Sequence, residues 1–243
     1  MKRSIAARIR TRLMRIAERA RRRGAPLPAG YLFIVTYGRT GSTLLQKVLN
    51  AIPGVYVAGE NFDIVGPLFQ AWRNAGVLKA KYGWGHQGPG HPWHGALAAD
   101  PDAFGRSLAL AFVRDILRPP RGTRIAGFKE IRYLSADLEA QLEFMVRVFT
   151  PAKFVFNTRA VDQVAQSAWW KDVDKGDLAA DIARFETQAA AFSAAHPEAC
   201  VTIDYATWTR DAEAMRPVFE LLGARFNVVE VSALLSVRLE HLR

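Results

Sequence analysis

The chain of 243 residues has a single cysteine and no long uninterrupted apolar segment. Because Cys200 has no second cysteine to pair with, a disulfide within the chain and a cysteine-based metal site are both excluded. Cys200 lies in the apolar run 199–203, which predicts a small buried core side chain and not a reactive thiol. No stretch approaches the roughly 20 apolar residues of a membrane span, and the apolar core of a secretory signal is missing.

Outside residues 1–23 the chain also lacks a net charge of either sign. Residues 1–23 hold ten of the 33 basic residues and one of the 23 acidic residues, so the formal charge of +10 is concentrated there. The remaining 23 basic and 22 acidic residues nearly cancel. A nucleic-acid-binding domain more often carries positive charge on its folded surface. We therefore predict no nucleic-acid partner for the domain.

The arm, defined as residues 1–24, has the pattern of a basic amphipathic helix. Its apolar side chains recur at helical spacing between arginines, at Ile5, Ile9, Leu13, Ile16 and Ala20. Three interpretations stay open for it: a docking or solvated helix, a peripheral helix on an anionic membrane surface, and a transit peptide or nucleic-acid arm. We expect a cytoplasmic protein, with membrane contact at the inner face as the second interpretation.

Residues 25–243 are expected to form one domain, because this length suits a single α/β core and is short for two. The hydrophobic pattern predicts strands at about 31–36, 54–57, 124–129, 153–157 and 200–204. It predicts helices at about 42–51, 61–76, 101–117, 135–148, 160–172, 177–195 and 211–222. This alternation indicates an α/β three-layer sandwich, with a central parallel sheet of four or five strands flanked by helices.

The most informative segment is the turn between the first strand and the first helix. Residues 36–43 read Thr-Tyr-Gly-Arg-Thr-Gly-Ser-Thr and follow an apolar strand. A helix N-terminus offers backbone N–H groups without internal partners and the positive end of the helix dipole. A glycine-bearing turn in front of it is therefore a candidate site for a phosphate or sulfate group.

The turn lacks the Gly-Lys-Ser/Thr ending of nucleoside-triphosphate loops, because Ser42 directly follows Gly41;. That absence, and the lack of a clear magnesium-binding aspartate, argue against a kinase. The segment instead resembles the phosphosulfate loop of sulfotransferases that use 3′-phosphoadenosine 5′-phosphosulfate (PAPS). The resemblance implies a P-loop-like sulfotransferase fold. It also implies contacts to the 5′-phosphosulfate from Arg39, Thr40, Gly41, Ser42 and Thr43.

Two further segments carry the resemblance along the chain. Arg159 follows an apolar strand and precedes Ser167 by eight residues. An arginine and a serine with this spacing hold the 3′-phosphate of PAPS in the family. Tyr205 follows the fifth strand, where the family tyrosine lies against the adenosine, although Ala206 replaces the usual glutamate. The resemblance implies that Arg159, Ser167 and Tyr205 bind the cofactor, with 3′-phosphoadenosine 5′-phosphate (PAP) as the product.

Sulfuryl transfer needs cations for the leaving phosphate and a base for the acceptor. Arg39 and Lys129, the latter at the end of the third strand, are our candidate catalytic cations. Glu60 matches the position of the catalytic glutamate in Golgi-type and many bacterial sulfotransferases. Cytosolic animal members use a histidine, so His86, His91 and His94 compete with Glu60 as the base. Glu130 and Arg132 are expected to form a structural ion pair.

Residues 82–97 are rich in glycine, proline, histidine and tryptophan and predict a long irregular loop of functional importance;. We expect His91, Trp93 and His94 to contact the acceptor. The resemblance implies transfer from PAPS to a hydroxyl or amine of a saccharide or small metabolite, with no metal required. The alternative is a non-catalytic nucleotide-binding or membrane-surface protein on the same fold. The sequence does not identify the acceptor or the oligomeric state.

Overall fold

The structure, a computed structural model, describes residues 26–85, 87–134, 137–166, 170 and 174–236. The arm and Ser167 therefore lie outside the described residues. At the centre is a five-stranded parallel sheet in the order β2-β3-β1-β4-β5. Its strands are β1 (Gly30–Thr36), β2 (Val55–Ala58), β3 (Ile125–Glu130), β4 (Ala152–Thr158) and β5 (Cys200–Asp204).

Helices connect the strands and cover both faces of the sheet. They are α1 (Ser42–Asn50), α2 (Val65–Tyr82), α3 (Pro101–Ala111), α4 (Leu138–Val148), α5 (Val161–Ala165), α6 (Lys175–Ala195), α7 (Tyr205–Arg210), α8 (Arg216–Leu221) and α9 (Val228–Ser236). Within the described residues, no helix is both long and apolar enough to cross a membrane. The predicted α/β fold with a parallel sheet of four or five strands is confirmed.

Alternation along β1 divides the core into two layers, because successive side chains of a strand point to opposite faces. Phe33 and Val35 pack with residues of α2, α4 and α6 on one face. Leu32 and Ile34 pack with residues of α1, α8 and α9 on the other. We call these the α4 face and the α1 face. The sheet is thus buried on both sides, as its near-continuous apolar strands predict.

Four predicted helices differ from the observed ones. The helix predicted at 160–172 is observed, within the described residues, only as Val161–Ala165. The helix predicted at 61–76 begins only at Val65 and continues to Tyr82, because residues 61–63 form a strained turn described below. The segment predicted as one helix at 211–222 is divided: Asp211 caps the short 3₁₀ turn Ala212–Met215, and α8 then starts afresh with a proline in its first turn. The helix predicted at 101–117 is regular only to Ala111, and Phe112–Leu117 forms a wider π-type turn.

Cys200 begins β5 and is half-buried against the core of the α4 face. Burial raises the pKa of its thiol to about 11, although a hydrogen bond with Ser193 opposes this change. The thiol is therefore protonated at neutral pH, which agrees with a packing role and not a reactive one.

Candidate functional site

The turn after β1 has the backbone geometry of an anion-binding loop. Gly41 precedes α1 with φ 74°, and Arg39 has φ 72°. In the part of the chain that the structure describes, no group accepts a hydrogen bond from the backbone N–H of Gly41, Ser42 or Thr43. These donors lie at the positive end of the α1 dipole. The loop can therefore receive a phosphate or sulfate oxygen, and the exposed Arg39 side chain adds a positive charge beside it.

Neighbouring strands hold this loop in place. Asn157 ends the buried part of β4, and its Nδ2 donates to the Thr40 carbonyl oxygen at 2.8 Å. The Oδ1 of Asn157 accepts from Nε1 of Trp208 in α7 at 2.9 Å. Both side chains are completely buried. Because buried polar groups are costly to leave unpaired, this chain of bonds fixes the loop relative to β4 and α7.

The Thr40 hydroxyl lies inside the loop and bonds to the protein itself. It lies 2.7 Å from the hydroxyl of Thr36 and donates to the Tyr37 carbonyl oxygen at 3.2 Å. Thr40 is fully buried, so its side chain faces inward and shapes the turn. Because its hydroxyl has no exposed surface, Thr40 can make the predicted cofactor contact only through its backbone.

Two of the predicted cofactor residues, Arg159 and Tyr205, meet beside the loop. The Arg159 guanidinium donates to the Arg39 carbonyl oxygen at 2.9 Å and lies 4.3 Å from the centre of the Tyr205 ring. The same ring packs against Gly41, where an added Cβ would lie 2.1 Å from its Cε2 atom. Gly41 is therefore required for the close approach of Tyr205 as well as for its positive φ.

Tyr37, at the start of the loop, holds the backbone of Arg159 in place. Its hydroxyl accepts from the Arg159 N–H at 2.9 Å and donates to the Arg159 carbonyl oxygen at 2.8 Å. Burial raises the pKa of Tyr37 well above its usual value, and the nearby Glu186 carboxylate adds to the shift. The hydroxyl consequently stays protonated and available as a donor at any physiological pH.

The predicted base and one predicted cation are in direct contact. The Glu60 carboxylate, just beyond β2, lies 2.5 Å from Nζ of Lys129 at the end of β3. A second cation, Arg132, lies 3.5 Å from the same carboxylate. The Lys129 side chain is only 6% exposed, whereas that of Glu60 is 36% exposed. Lys129 is therefore a nearly buried, paired ammonium and not a solvated lysine at a strand end.

Strand register places this ion pair near the phosphate loop. Lys129 is the β3 partner of Ile34, and Ile34 packs on the α1 face. Side chains of registered residues in parallel strands point to the same face, so Lys129 lies on the face that carries α1. An antiparallel bridge between Tyr37 and Arg132 brings the following segment against the start of the loop. The cations of the phosphate loop and of residues 129–132 thus lie at the same edge of the sheet.

Glu130 lies on the opposite face and supports the turn that carries Glu60. Its buried carboxylate accepts from the backbone N–H groups of Asn61 and Asp63 at 3.1 and 2.9 Å. Arg132 completes the predicted ion pair at 2.9 Å. Burial raises the pKa of Glu130, but hydrogen bonds from Asp63, Ile131, Asn61 and Arg132 outweigh it and hold the pKa below its usual value. The Glu130 carboxylate is therefore an anion that holds the turn at residues 61–63 in place.

The same turn presents Phe62 to solvent. Phe62 has φ 63° and its neighbour Asp63 has φ 53°, a region that residues other than glycine rarely adopt. The Phe62 ring is 81% exposed and lies under the Arg132 guanidinium, 4.5 Å away. An exposed ring on a strained, anchored turn two residues after Glu60 is a candidate acceptor contact. The sequence pattern did not indicate Phe62, since an isolated phenylalanine between polar residues has no periodicity.

The loop after α2 lies towards the other end of that helix. Trp93 stacks on Tyr82, the last residue of α2, with ring centres 3.9 Å apart. A helix of 18 residues is about 27 Å long, which separates Tyr82 from the turn that carries Glu60. His91 and His94 bond within the loop, to the Trp93 N–H and the Gln87 carbonyl oxygen. The structure therefore does not bring His91, Trp93 and His94 to Glu60, and His86 lies outside the described residues.

Comparison with known families gives one match over most of the chain. A model of the Sulfotransferase family matches residues 32–227, which include the loop, Glu60, Lys129 and Arg159. The chain belongs to the sulfotransferase family. The family predicted from the sequence is confirmed, and it implies PAPS as the sulfuryl donor with PAP as the product. No curated protein sequence matches the chain.

Solved sulfotransferase domains have a similar fold. The sulfotransferase domain of the Synechococcus PCC 7002 olefin synthase is 15% identical, with a TM-score of 0.58 over 88% of this chain and 80% of that chain. The sulfotransferase domain from the curacin biosynthetic pathway is 14% identical, with a TM-score of 0.51 over 84% of this chain and 76% of that chain. At these identities the likeness concerns the fold alone.

The residues present fit the cofactor that the family implies. The loop offers backbone N–H donors without partners at the start of α1, which suit the phosphosulfate group;. Arg159 can bind a phosphate in bidentate fashion, and its guanidinium lies over the Tyr205 ring beside the loop;. Arg159 now bonds to Arg39 and Gln163, so phosphate binding at its guanidinium would exchange these neutral acceptors for a charged one.

Proposed function

We propose that the chain transfers a sulfuryl group from PAPS to a hydroxyl or amine of a saccharide or another small metabolite, with Glu60 as the general base. The observation that carries this proposal is the contact between Glu60 and Lys129 at 2.5 Å. A base for the acceptor and a cation for the leaving phosphate are thereby held together on the face that carries the loop. PAPS, when bound, supplies the sulfuryl group and the PAP leaving group.

Each residue then has a distinct task. The N–H groups of Gly41, Ser42 and Thr43, together with Arg39, orient the phosphosulfate, and Arg159 with Ser167 holds the 3′-phosphate. Glu60 takes the proton from the acceptor hydroxyl as its oxygen bonds to sulfur. Lys129 stabilises the negative charge that the breaking S–O bond leaves on the phosphate. Positioning and electrostatics supply most of the rate in such transfers.

A non-catalytic nucleotide-binding protein on the same fold remains the second candidate. The observation that favours it is the departure from the family pattern at Ala206, directly after Tyr205. This candidate shares the loop, Arg159 and the predicted PAP binding, but it does not need the pair of Glu60 and Lys129. Transfer activity alone separates the two.

Binding of PAP, measured by calorimetry against ATP with magnesium, tests the cofactor site. We expect micromolar affinity for PAP, no binding of ATP, and loss of PAP binding in Arg159→Ala. The matched control is Arg184→Ala, which removes an arginine paired with Asp181 on the surface of α6. A preference for ATP would overturn the proposal, as would equal losses in both variants. An acceptor screen with labelled PAPS then tests transfer.

A further inference from the structure

A cavity of about 330 Å³ lies at the end of the sheet opposite the phosphate loop. Residues 26–28, just before β1, form one wall, and residues 118–123, just before β3, form another. The seven residues of β1 place about 20 Å between this cavity and the loop. The cavity therefore belongs to a different surface from the proposed active site.

The walls of the cavity are apolar and stiff. Four prolines contribute to the lining, together with Leu27 and Val113; the prolines are Pro26, Pro28, Pro119 and Pro120. Proline fixes φ and restricts the residue before it, so these walls are preformed. Leu27 is 48% exposed at the cavity, and Ile116, in the neighbouring segment 112–117, is 49% exposed. Large apolar side chains thus reach solvent at this end of the domain.

Arginines surround the apolar surface. Arg114, Arg118 and Arg121 line the cavity, and Arg124 directly precedes β3. All four are exposed, and Asp115 is the only acidic residue within 112–124. Within the described residues, no carboxylate forms an ion pair with Arg114 or Arg121. The surface therefore attracts anions that also carry an apolar portion.

The arm joins the domain at this same surface. Residues 1–23 carry ten basic residues and one acid, and Pro26, three residues later, already lines the cavity. The cations of the arm and those of the cavity therefore start from one end of the fold. The arm and the cavity are both positively charged, so electrostatic repulsion opposes binding of the arm in the cavity. An extended anionic partner is attracted to both.

We propose that this end of the domain, with its arginine-lined cavity, docks on a membrane surface rich in anionic phospholipid. Arg114 and Arg121 bind lipid phosphates, while Leu27 and the proline-walled cavity accept apolar groups from the interface. The inference goes beyond the proposed function and does not depend on it. Because the phosphate loop lies at the opposite end of the sheet, a docked protein keeps its cofactor site facing away from the membrane.

Sedimentation of the full chain with vesicles tests the inference. The vesicles are phosphatidylcholine alone, or phosphatidylcholine mixed with phosphatidylglycerol. We expect binding only to the mixed vesicles, and weaker binding at high salt. The double variant Arg114→Glu/Arg121→Glu should bind at least about twenty-fold more weakly, because each cation near such a surface contributes about fivefold. Leu27→Ser should weaken binding without changing its dependence on salt.

The matched control is Arg210→Glu/Arg225→Glu, which makes the same change in charge at two exposed arginines, one at the end of α7 and one between α8 and α9. It should retain at least most of the binding. Equal losses in the two double variants would overturn the proposal, as would unchanged binding of the Arg114/Arg121 variant or equal binding to both kinds of vesicle. Thermal unfolding of each variant shows whether it is folded. PAP affinity, measured with and without vesicles, should not change.

Discussion

The Glu60 carboxylate and the Lys129 ammonium form an ion pair at 2.5 Å, with Lys129 nearly buried and Glu60 partly exposed. A buried charge that loses its partner is strongly destabilising. Glu60 thus has two tasks that a substitution must separate: it stabilises Lys129 and it is the proposed base. The glutamine variant suits this purpose because its amide oxygen still accepts a hydrogen bond from Lys129.

Glu60→Gln is expected to lower kcat about 10²- to 10⁴-fold, the usual contribution of a general base. Its affinity for PAP should stay within a few-fold of the wild type, because Glu60 pairs with Lys129 and Arg132 and is not one of the residues proposed to bind the cofactor. Labelled sulfuryl transfer and PAP calorimetry measure the two quantities. Glu60→Ala should be less stable than Glu60→Gln, since it leaves Lys129 without a partner.

The control for this prediction is the double variant His91→Gln/His94→Gln, which removes the two competing bases of the loop. We expect its kcat to be near that of the wild type, because α2 keeps this loop far from Glu60. A large loss of kcat in the histidine variant, with full activity in Glu60→Gln, would assign the base to the loop.

Gly41→Ala is expected to destabilise the fold and to weaken PAP binding more than tenfold. The left-handed backbone at φ 74° costs a residue with a side chain about 1–2 kcal/mol. The new Cβ also meets the Tyr205 ring at 2.1 Å. The same substitution in a Tyr205→Ala background retains only the backbone cost. Denaturant unfolding of all four proteins should therefore show a smaller effect of Gly41→Ala without Tyr205; equal effects in both backgrounds would exclude the clash.

The sequence predicted the fold and the loop because both depend on local pattern. Apolar runs of strand length alternate with helical periodicity, and the loop is one continuous segment with a distinctive glycine. The approach of Arg159 and Tyr205 to the loop followed from their positions after β4 and β5, since the carboxyl ends of parallel strands meet at one edge. The role of Ser167 stays a prediction, because it lies outside the described residues.

The supporting residues were less predictable because they act across the fold. Asn157 and Trp208 are 51 positions apart, yet their bond and the bond from Asn157 to Thr40 fix the loop. An asparagine closing an apolar strand was the available signal for this role. The turn at Phe62 depends on Glu130, 67 positions from Asp63. The late start of α2, which this turn causes, therefore has no local signal in the sequence.

Stability at acid pH should report the anchor at Glu130. Its pKa is lowered in the folded protein from a usual value of 4.5, so the ionised form stabilises the fold. This contribution is complete above the unfolded pKa, and it is lost as pH falls through the lower folded pKa. Glu130→Gln should therefore be less stable at neutral pH and should lose less stability as pH falls below 4.5. Denaturant unfolding across this range measures the slope.

The control for that slope is Asp63→Asn, for which the sign is opposite. Burial raises the pKa of Asp63 above its usual value of 3.8. Its ionised form thus disfavours the fold, and its contribution improves as pH falls from the folded pKa to 3.8;. Asp63→Asn should steepen the loss of stability in acid, whereas Glu130→Gln should flatten it. The same change of slope in both variants would contradict the assignment.

Phe62→Ala is expected to raise the KM for the acceptor about tenfold or more while leaving PAP affinity unchanged. The ring is 81% exposed in the free protein, and covering a phenylalanine side chain contributes about 1.5–3 kcal/mol. The variant should be about as stable as the wild type, because an exposed ring adds little packing and alanine keeps the Cβ atom that strains the backbone at positive φ. Phe104→Ala, which removes a ring that is 41% exposed on α3, is the matched control and should leave KM unchanged. If Phe62→Ala lowers kcat with KM unchanged, the ring positions Glu60 and does not contact the acceptor.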